Sequence, residues 1–379
     1  MNKILEKPIR VAHVIGKWVG GGLEAIVLNY YKHLDRSQIQ FDFIIDIGSP
    51  RIPKEEIEKL GGNIIIVPQY EDTFRYINSL VKLFKEQKYS IVHSHINTMS
   101  VFPLLAAWYS NVPIRIAHSH STSNKKEKKK DIMKKCLRPL SKWFATDYFC
   151  CSELAGRWLF GNRTYNQHKV YLLNNAIDTQ HYQFNLLNRK IKRKELSLNQ
   201  SQIVIGHIGR FVVQKNHDFL IKIFQEIHKK NEDTVLVMVG EGPLLEEMKQ
   251  KVNRLNLSDC VIFTGQRDDT NQLYSAFDML LLPSLYEGLP VVGVEAQTSG
   301  LLCVLSDDIT KETKVLETTQ LLSLSLDEKT WAQQSMSYFY GFQRKDTSQL
   351  LVEKGFDINY EAYKLERKYK ELLQKSNNI

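Results

Sequence analysis

Cysteine is scarce and poorly placed for structural work. Cys136, Cys150, Cys151, Cys260 and Cys303 are odd in number and form no C-x-x-C or Cys/His ligand spacing. That excludes a disulfide framework and a zinc-finger type of site, and it fits a reducing compartment. With 19 Gly and 10 Pro in 379 residues the chain is neither collagenous nor low in complexity. Long apolar runs are missing too: the longest, 99–109, is broken by Ser100 and Pro103, short of the roughly 18 residues of a spanning helix. The opening MNKILEKPIRVAHVI puts a proline and charges where a secretory signal needs unbroken apolar residues. The expectation is a cytoplasmic protein, or one that lies on a membrane without crossing it.

What is present is ample material for two cores: 43% apolar and 10% aromatic residues, with 25% charged. Basic residues outnumber acidic ones 51 to 42, and the excess is lopsided. Residues 1–178 hold 26 basic and 16 acidic side chains, and 179–379 hold 25 and 26, so the halves carry +10 and −1. Short β-branched runs alternate with longer amphipathic stretches, the pattern of parallel sheets with crossover helices. Strands are expected at 10–15, 41–47, 63–67, 90–93, 114–118, 148–151 and 169–173. The pattern restarts at 203–209, 235–239, 261–264, 279–283 and 302–306, which predicts two doubly wound α/β domains in tandem. The polar stretch 174–200 reads as the linker, and the chain beyond Asp307 as helical, ending in an amphipathic helix over 360–374.

Open α/β sheets bind ligands at the carboxyl ends of their strands, so the segments after strands carry the candidates. Gly20, Gly21 and Gly22 stand between a strand and a helix, either to let backbone N–H groups approach an anion or to make a plain tight turn. Gly209 and Arg210 with Lys215, in GRFVVQK, follow the first strand of the second half. A planar fork and a mobile point charge suit a diphosphate, although solvated surface cations are the plainer alternative. Gly240-Glu241-Gly242-Pro243 is explained equally well as a helix start. The sharpest segment is 283–296, PSLYEGLPVVGVEA. Glu287 and Glu295 flank a helix start, and each carboxylate can accept from a vicinal pair of hydroxyls. The amides of Gly288 and Leu289 lie where phosphate oxygens are favoured, unless the acids merely complement the helix dipole.

His93, His95, His118 and His120 end strands as VHSH and AHSH. Taking alternate positions to face opposite sides of the sheet, with no carboxylate near in sequence, no metal site is expected. A histidine that hydrogen-bonds a ligand, or a structural one, remains. No D-x-D occurs, so a cation bridging nucleotide phosphates is not expected either, and cationic side chains with helix dipoles would neutralise a departing diphosphate. Lys125, Lys126, Lys128, Lys129, Lys130, Lys134 and Lys135 adjoin Leu137, Leu140, Trp143 and Phe144. This cluster suits an anionic lipid surface, or is simply a solvated face, with no signature for nucleic acid beside it.

LYEGLPVVGVEA, GRFVVQKN, VMVGEGP, FTGQRDD followed by LYSAFDMLLLPS, and LNNAID together resemble the family-four retaining glycosyltransferases of GT-B fold, in the expected order over nearly the whole chain. GGGLE, RIAHSHST and LSDDITKE resemble the bacterial exopolysaccharide and capsule branch. The resemblance implies two Rossmann-like domains facing a central cleft, with a C-terminal helix crossing back to the first. It implies an acceptor-binding domain at 1–185, a nucleotide-sugar domain at 186–355 and the crossing helix at 356–379. Arg210 and Lys215 would bind the donor diphosphate, Glu295 the ribose hydroxyls, Glu287 the donor sugar, and the amides near Gly288 and Leu289 the β-phosphate. Gly209, Gln266 and Arg267 would line the donor site by the nucleobase and phosphates, Gly21 and Gly22 would approach the diphosphate, and His118 or His120 would face the reaction centre. The family uses no metal or other cofactor. The donor would be a UDP-sugar and the acceptor a lipid-linked saccharide on the inner face of the plasma membrane. In LNNAID, Ala176 replaces the usual glycine, which bears on a local turn and not on the chemistry.

Two other functions fit the same architecture. A nucleotide-sugar 2-epimerase would interconvert the donor without an acceptor, and a non-enzymatic two-lobed sugar-binding protein would release no nucleotide. A nicotinamide dehydrogenase is disfavoured because the glycine turns lack G-x-G-x-x-G with a downstream acid.

Overall fold

The computed structural model describes residues 8–121 and 137–377. Contacts divide the chain into two units, Met1–Ala176 with Ile358–Ile379, and Ile177–Asp357. The divisions fall at 176/177 and 357/358, against 185/186 and 355/356 in the sequence reading. The expected seven-lysine cluster lies outside the described residues.

The first unit is an all-parallel sheet of seven strands: β1 Ile9–Gly16, β2 Ile39–Asp46, β3 Asn63–Val67, β4 Ile91–Ser94, β5 Ile114–Ser119, β6 Asp147–Cys150 and β7 Val170–Leu172, in the order β3-β2-β1-β4-β5-β6-β7. The order reverses between β1 and β4, where the carboxyl ends of neighbouring strands open a crevice in folds of this kind. The terminal helix Ile358–Asn377 belongs to this unit. Its apolar spacing puts Ala362, Leu365, Tyr369 and Leu372 on one buried face.

The second unit has six parallel strands: β8 Ile203–Ile208, β9 Thr234–Val239, β10 Val261–Gly265, β11 Met279–Leu282, β12 Leu302–Ser306 and β13 Thr319–Leu322, in the order β10-β9-β8-β11-β12-β13. Both faces are covered, so the central strands are largely apolar rather than alternating. Met279 and Leu281 enter one core with Leu236, Met238 and Val304, and Leu280 and Leu282 enter the other with Val235, Val237 and Leu305. Gly206 in β8 makes room for Phe277, since a Cβ there would stand 2.1 Å from the ring.

Three expectations are corrected. The supposed linker 174–200 contains the helix Leu186–Glu195, packed into the second unit with Lys192 and Arg193 buried. Its polarity hid it, because what it buries is charge: Arg189 and Arg193 each place an Nη2 on Asp278, at 2.7 and 2.6 Å. The stretch beyond Asp307 is not wholly helical but includes β13, too short at Thr319–Leu322 to show a period. Finally, the histidines of VHSH and AHSH do not lie on opposite faces. Residues two apart share a face of a strand, and the His93 and His95 rings stack with centroids 4.2 Å apart.

Candidate functional site

In the second unit the loops after β8, β9 and β10 are tied backbone to backbone. Gly209 N–H donates to Val239 O, Phe211 N–H to Glu241 O, and Gly240 N–H to Gly265 O, each at 2.9 Å. The approach is so close that a Cβ on Gly240, whose φ is +139°, would stand 2.2 Å from Gly209 O. GEGP is thus a backbone support for the loop that carries Arg210 and Lys215.

That loop presents its two cations differently. Arg210 is exposed, with no ion-pair partner among the described residues. Lys215 lies in the short 3₁₀ turn Val213–Lys215 and reaches Glu287, its Nζ 2.7 Å from Oε1. Glu287 is buried, and its other oxygen accepts from Gln214 Nε2 at 2.9 Å. Gln214 also binds the partner loop's backbone, donating to Tyr286 O at 2.9 Å and accepting from Leu285 N–H at 2.8 Å. Lysine and acid are therefore held together after β8 and β11. The stem of Lys215 lies over Gly209, where a Cβ would meet its Cε at 3.1 Å.

Glu295 has a separate setting. The helix Val291–Thr298 turns its carboxylate inward, where the Tyr274 hydroxyl donates to Oε2 at 2.7 Å and Tyr182 lies near. Burial pushes its pKa up, and the two tyrosines oppose that shift. Gly288 and Leu289 are buried in the turn before this helix. Gln266 is exposed, whereas the guanidinium of Arg267 is taken up by Asp269 and Glu195 at 2.7 and 2.6 Å.

Beside the loop stands His207, missed in the sequence reading. Its Nδ1 donates to Leu281 O at 2.8 Å, and its Nε2 is buried without a partner among the described residues, 3.3 Å from where a Cβ on Gly209 would be. Burial, with a smaller effect from the Lys215 charge, lowers its pKa to about 4, so the ring is neutral at pH 7. Tyr182, Tyr274 and Gln214 were missed as well. LYSAF follows the candidate base-side loop directly, but nothing in its spacing says that the tyrosine turns towards a carboxylate.

In the first unit Gly21 caps the helix Gly22–His33, whose first turn carries an acid that reaches back to the preceding loop. Glu24 is buried and accepts the Val19 N–H at 2.8 Å, close to Gly21. His118 and His120 lie at the end of β5, their ring centroids 3.8 Å apart. His118 Nδ1 meets His93 Nε2 at 3.0 Å, and His118 Nε2 is buried without a partner among the described residues. Burial and the neighbouring imidazoles hold His118 well below the ordinary histidine pKa.

Residues 188–323 match the family described as glycosyl transferases group 1, and residues 20–181 that described as glycosyltransferase family 4. A protein of Bacillus subtilis (strain 168) that carries the name of a glycosyltransferase, EpsF, is 36% identical over 330 residues, which cover 86% of this chain and 86% of that one. The UDP-Gal:alpha-D-GlcNAc-diphosphoundecaprenol alpha-1,3-galactosyltransferase of Escherichia coli is 25% identical over 317 residues, 80% of this chain and 81% of its own. Among solved structures, Anabaena Alr3699/HepE in complex with UDP-glucose superposes with a TM-score of 0.80 at 17% identity, over 96% of this chain and 100% of that one.

Proposed function

The chain belongs to the family-four glycosyltransferases of GT-B fold, and from that premise we propose a retaining, metal-independent hexosyltransferase that moves a sugar from a UDP-sugar to a lipid-linked saccharide during bacterial exopolysaccharide or capsule synthesis. The branch rests on the likeness to EpsF, and the donor and acceptor classes on the name of the Escherichia coli relative.

The observation that supports the reading is the Lys215–Glu287 pair at 2.7 Å in the loops after β8 and β11, with exposed Arg210 in the first of those loops and buried Glu295 in the helix after the second. Arg210 and Lys215 take the donor diphosphate, with the Gly288 and Leu289 amides at the β-phosphate. Glu295, kept as an acceptor by the Tyr274 hydroxyl, holds the ribose diol. Glu287 holds hydroxyls of the sugar once Lys215 turns towards phosphate. As the glycosidic bond breaks, negative charge grows on the diphosphate, and the two cations stabilise it more than the ground state. The leaving phosphate accepts the proton of the attacking hydroxyl, so no protein nucleophile is needed. In the first unit, which takes the acceptor, His118 offers Nε2 to the transferred sugar. The seven lysines from Lys125 to Lys135 hold the enzyme on anionic lipid at the inner face of the plasma membrane. Among the described residues no helix is long and apolar enough to cross a membrane.

Nuclear magnetic resonance of the product formed from an α-linked UDP-sugar, with EDTA present, tests the reading. An α-linked product at undiminished rate is expected. A β-linked product, a requirement for added metal, or epimerised donor without acceptor would overturn it.

A further inference from the structure

Five histidines converge at the carboxyl ends of the three central strands of the first unit. His13 and His93 sit opposite one another in β1 and β4, and His118 lies in the adjacent β5. His95 and His120 follow two residues beyond His93 and His118, and so on the same face. We propose that His95, His118 and His120 form a three-imidazole site for a borderline divalent transition-metal ion such as Zn²⁺.

One ring nitrogen from each of the three lies within 4.8 Å of the others, a separation that a small side-chain adjustment closes to tetrahedral coordination, with Zn–N of about 2.0–2.1 Å. His118 contributes Nε2, a buried nitrogen with no hydrogen-bond partner among the described residues. His95 Nδ1 and His120 Nε2 contribute the nitrogens that now meet each other at 2.9 Å, so metal binding replaces a single hydrogen bond. His120 is the one half-exposed member and gives the ion a way in and a position for a fourth, exchangeable ligand.

The outer shell sets this trio apart from a chance cluster. Metal-bound imidazoles are oriented by a partner on their second nitrogen. His118 Nδ1 meets His93 Nε2 at 3.0 Å, and His95 Nε2 meets His13 Nδ1 at 2.9 Å. The chain ends on Tyr369, whose hydroxyl lies 2.7 Å from His93 Nδ1 and 3.5 Å from His13 Nε2. Asn97 fixes the third ligand's backbone, its Oδ1 accepting the His120 N–H at 2.8 Å. A second trio, His13, His93 and His95, is fully buried and already spends its nitrogens on this outer shell.

The metal takes no part in transfer. On the reading of His118 given above, it occupies the nitrogen offered to the sugar and so inhibits. That consequence rests on the proposed function, whereas the site does not.

The test is calorimetric titration of the untagged, EDTA-treated full chain with ZnCl₂, with the visible spectrum of bound Co²⁺ as a second readout. One tight equivalent and a tetrahedral Co²⁺ spectrum are expected. His120→Gln, at the exposed edge, is expected to abolish the tight phase in a protein of unchanged circular dichroism. His93→Gln, which removes the partner of His118 Nδ1, is expected to weaken it about 10- to 100-fold. No tight binding, or binding that survives His120→Gln, would overturn the site. Zinc that binds with these properties yet leaves acceptor-dependent transfer at full rate would support the site and remove His118 from the reaction centre.

Discussion

Replacing Tyr274 with Phe removes one oxygen and leaves the rest of the second unit's core in place. The ring is fully buried, edge-on to Phe277 with centroids 6.2 Å apart, and Phe keeps that packing. What is lost is the 2.7 Å hydrogen bond to a buried carboxylate. A hydrogen bond to a charged group is worth about 1.5–3 kcal/mol, so the variant should lose about 2 kcal/mol. For a unit of this size that is about 4–8 °C in melting temperature. A second effect follows from the first: Tyr274 opposes the upward push of burial on the Glu295 pKa, and without it the carboxylate is harder to ionise. UDP affinity should therefore fall, and fall further towards acid pH, because the ribose diol needs an acceptor. A double-mutant cycle with Glu295→Gln, read by urea denaturation and by UDP calorimetry, isolates the pair. If Tyr274 acts through Glu295, Tyr274→Phe costs much less in the Gln background, with about 1 kcal/mol or more of coupling. Equal losses in both backgrounds with unaltered UDP binding would refute the role given to Tyr274.

Gly206→Ala should destabilise by about 1–3 kcal/mol through overpacking against Phe277, and an unchanged urea midpoint would show that the ring moves aside freely. Asp278→Ala strips the carboxylate from Arg189 and the fully buried Arg193 and should cost about 3–5 kcal/mol; a loss below 1 kcal/mol would mean that the carbonyls around Arg193 suffice. Acid should weaken the second unit before its carboxylates titrate. His207 has a pKa of about 4 in the fold against 6.5 in an unfolded chain, so the unfolded state binds the proton first. The stability this supplies is present above pH 6.5 and is lost as pH falls towards 4, about 3 kcal/mol in all. His207→Gln should flatten that part of the urea-midpoint profile, and an identical profile would contradict the assignment.

Much of this architecture could be read from the chain because parallel strands buried on both faces leave an unmistakable trace: MLLL, TVLVMV and IVIGHI are apolar without alternation. The strand-end loops were legible for the same reason, since glycines there mark backbones that must touch, as Gly240 does Gly209. Side-chain pairing was not legible. Nothing in spacing shows that Lys215 is tied to Glu287 while Arg210 is in no ion pair among the described residues, or that Glu295 accepts from the hydroxyl of Tyr274. The helix Leu186–Glu195 was taken for a linker because apolar periodicity detects only the burial of apolar groups, and this helix buries cations against Asp278. The histidine cluster, by contrast, was available from the sequence: H-x-H at two strand ends fixes a shared face, and only the third strand, with His13, required the sheet order to bring it in.

The central claim is that the diphosphate of an activated sugar is held by Arg210 and Lys215 and leaves only when an acceptor is attacked. Its most direct measurement is nucleotide release from UDP-, GDP- and ADP-sugars, with and without an undecaprenyl-diphosphate-linked saccharide, for the wild type and for folded Arg210→Ala. UDP released only with acceptor, and lost in the variant, is the predicted result; release from none of the donors, or release indifferent to Arg210, would contradict it.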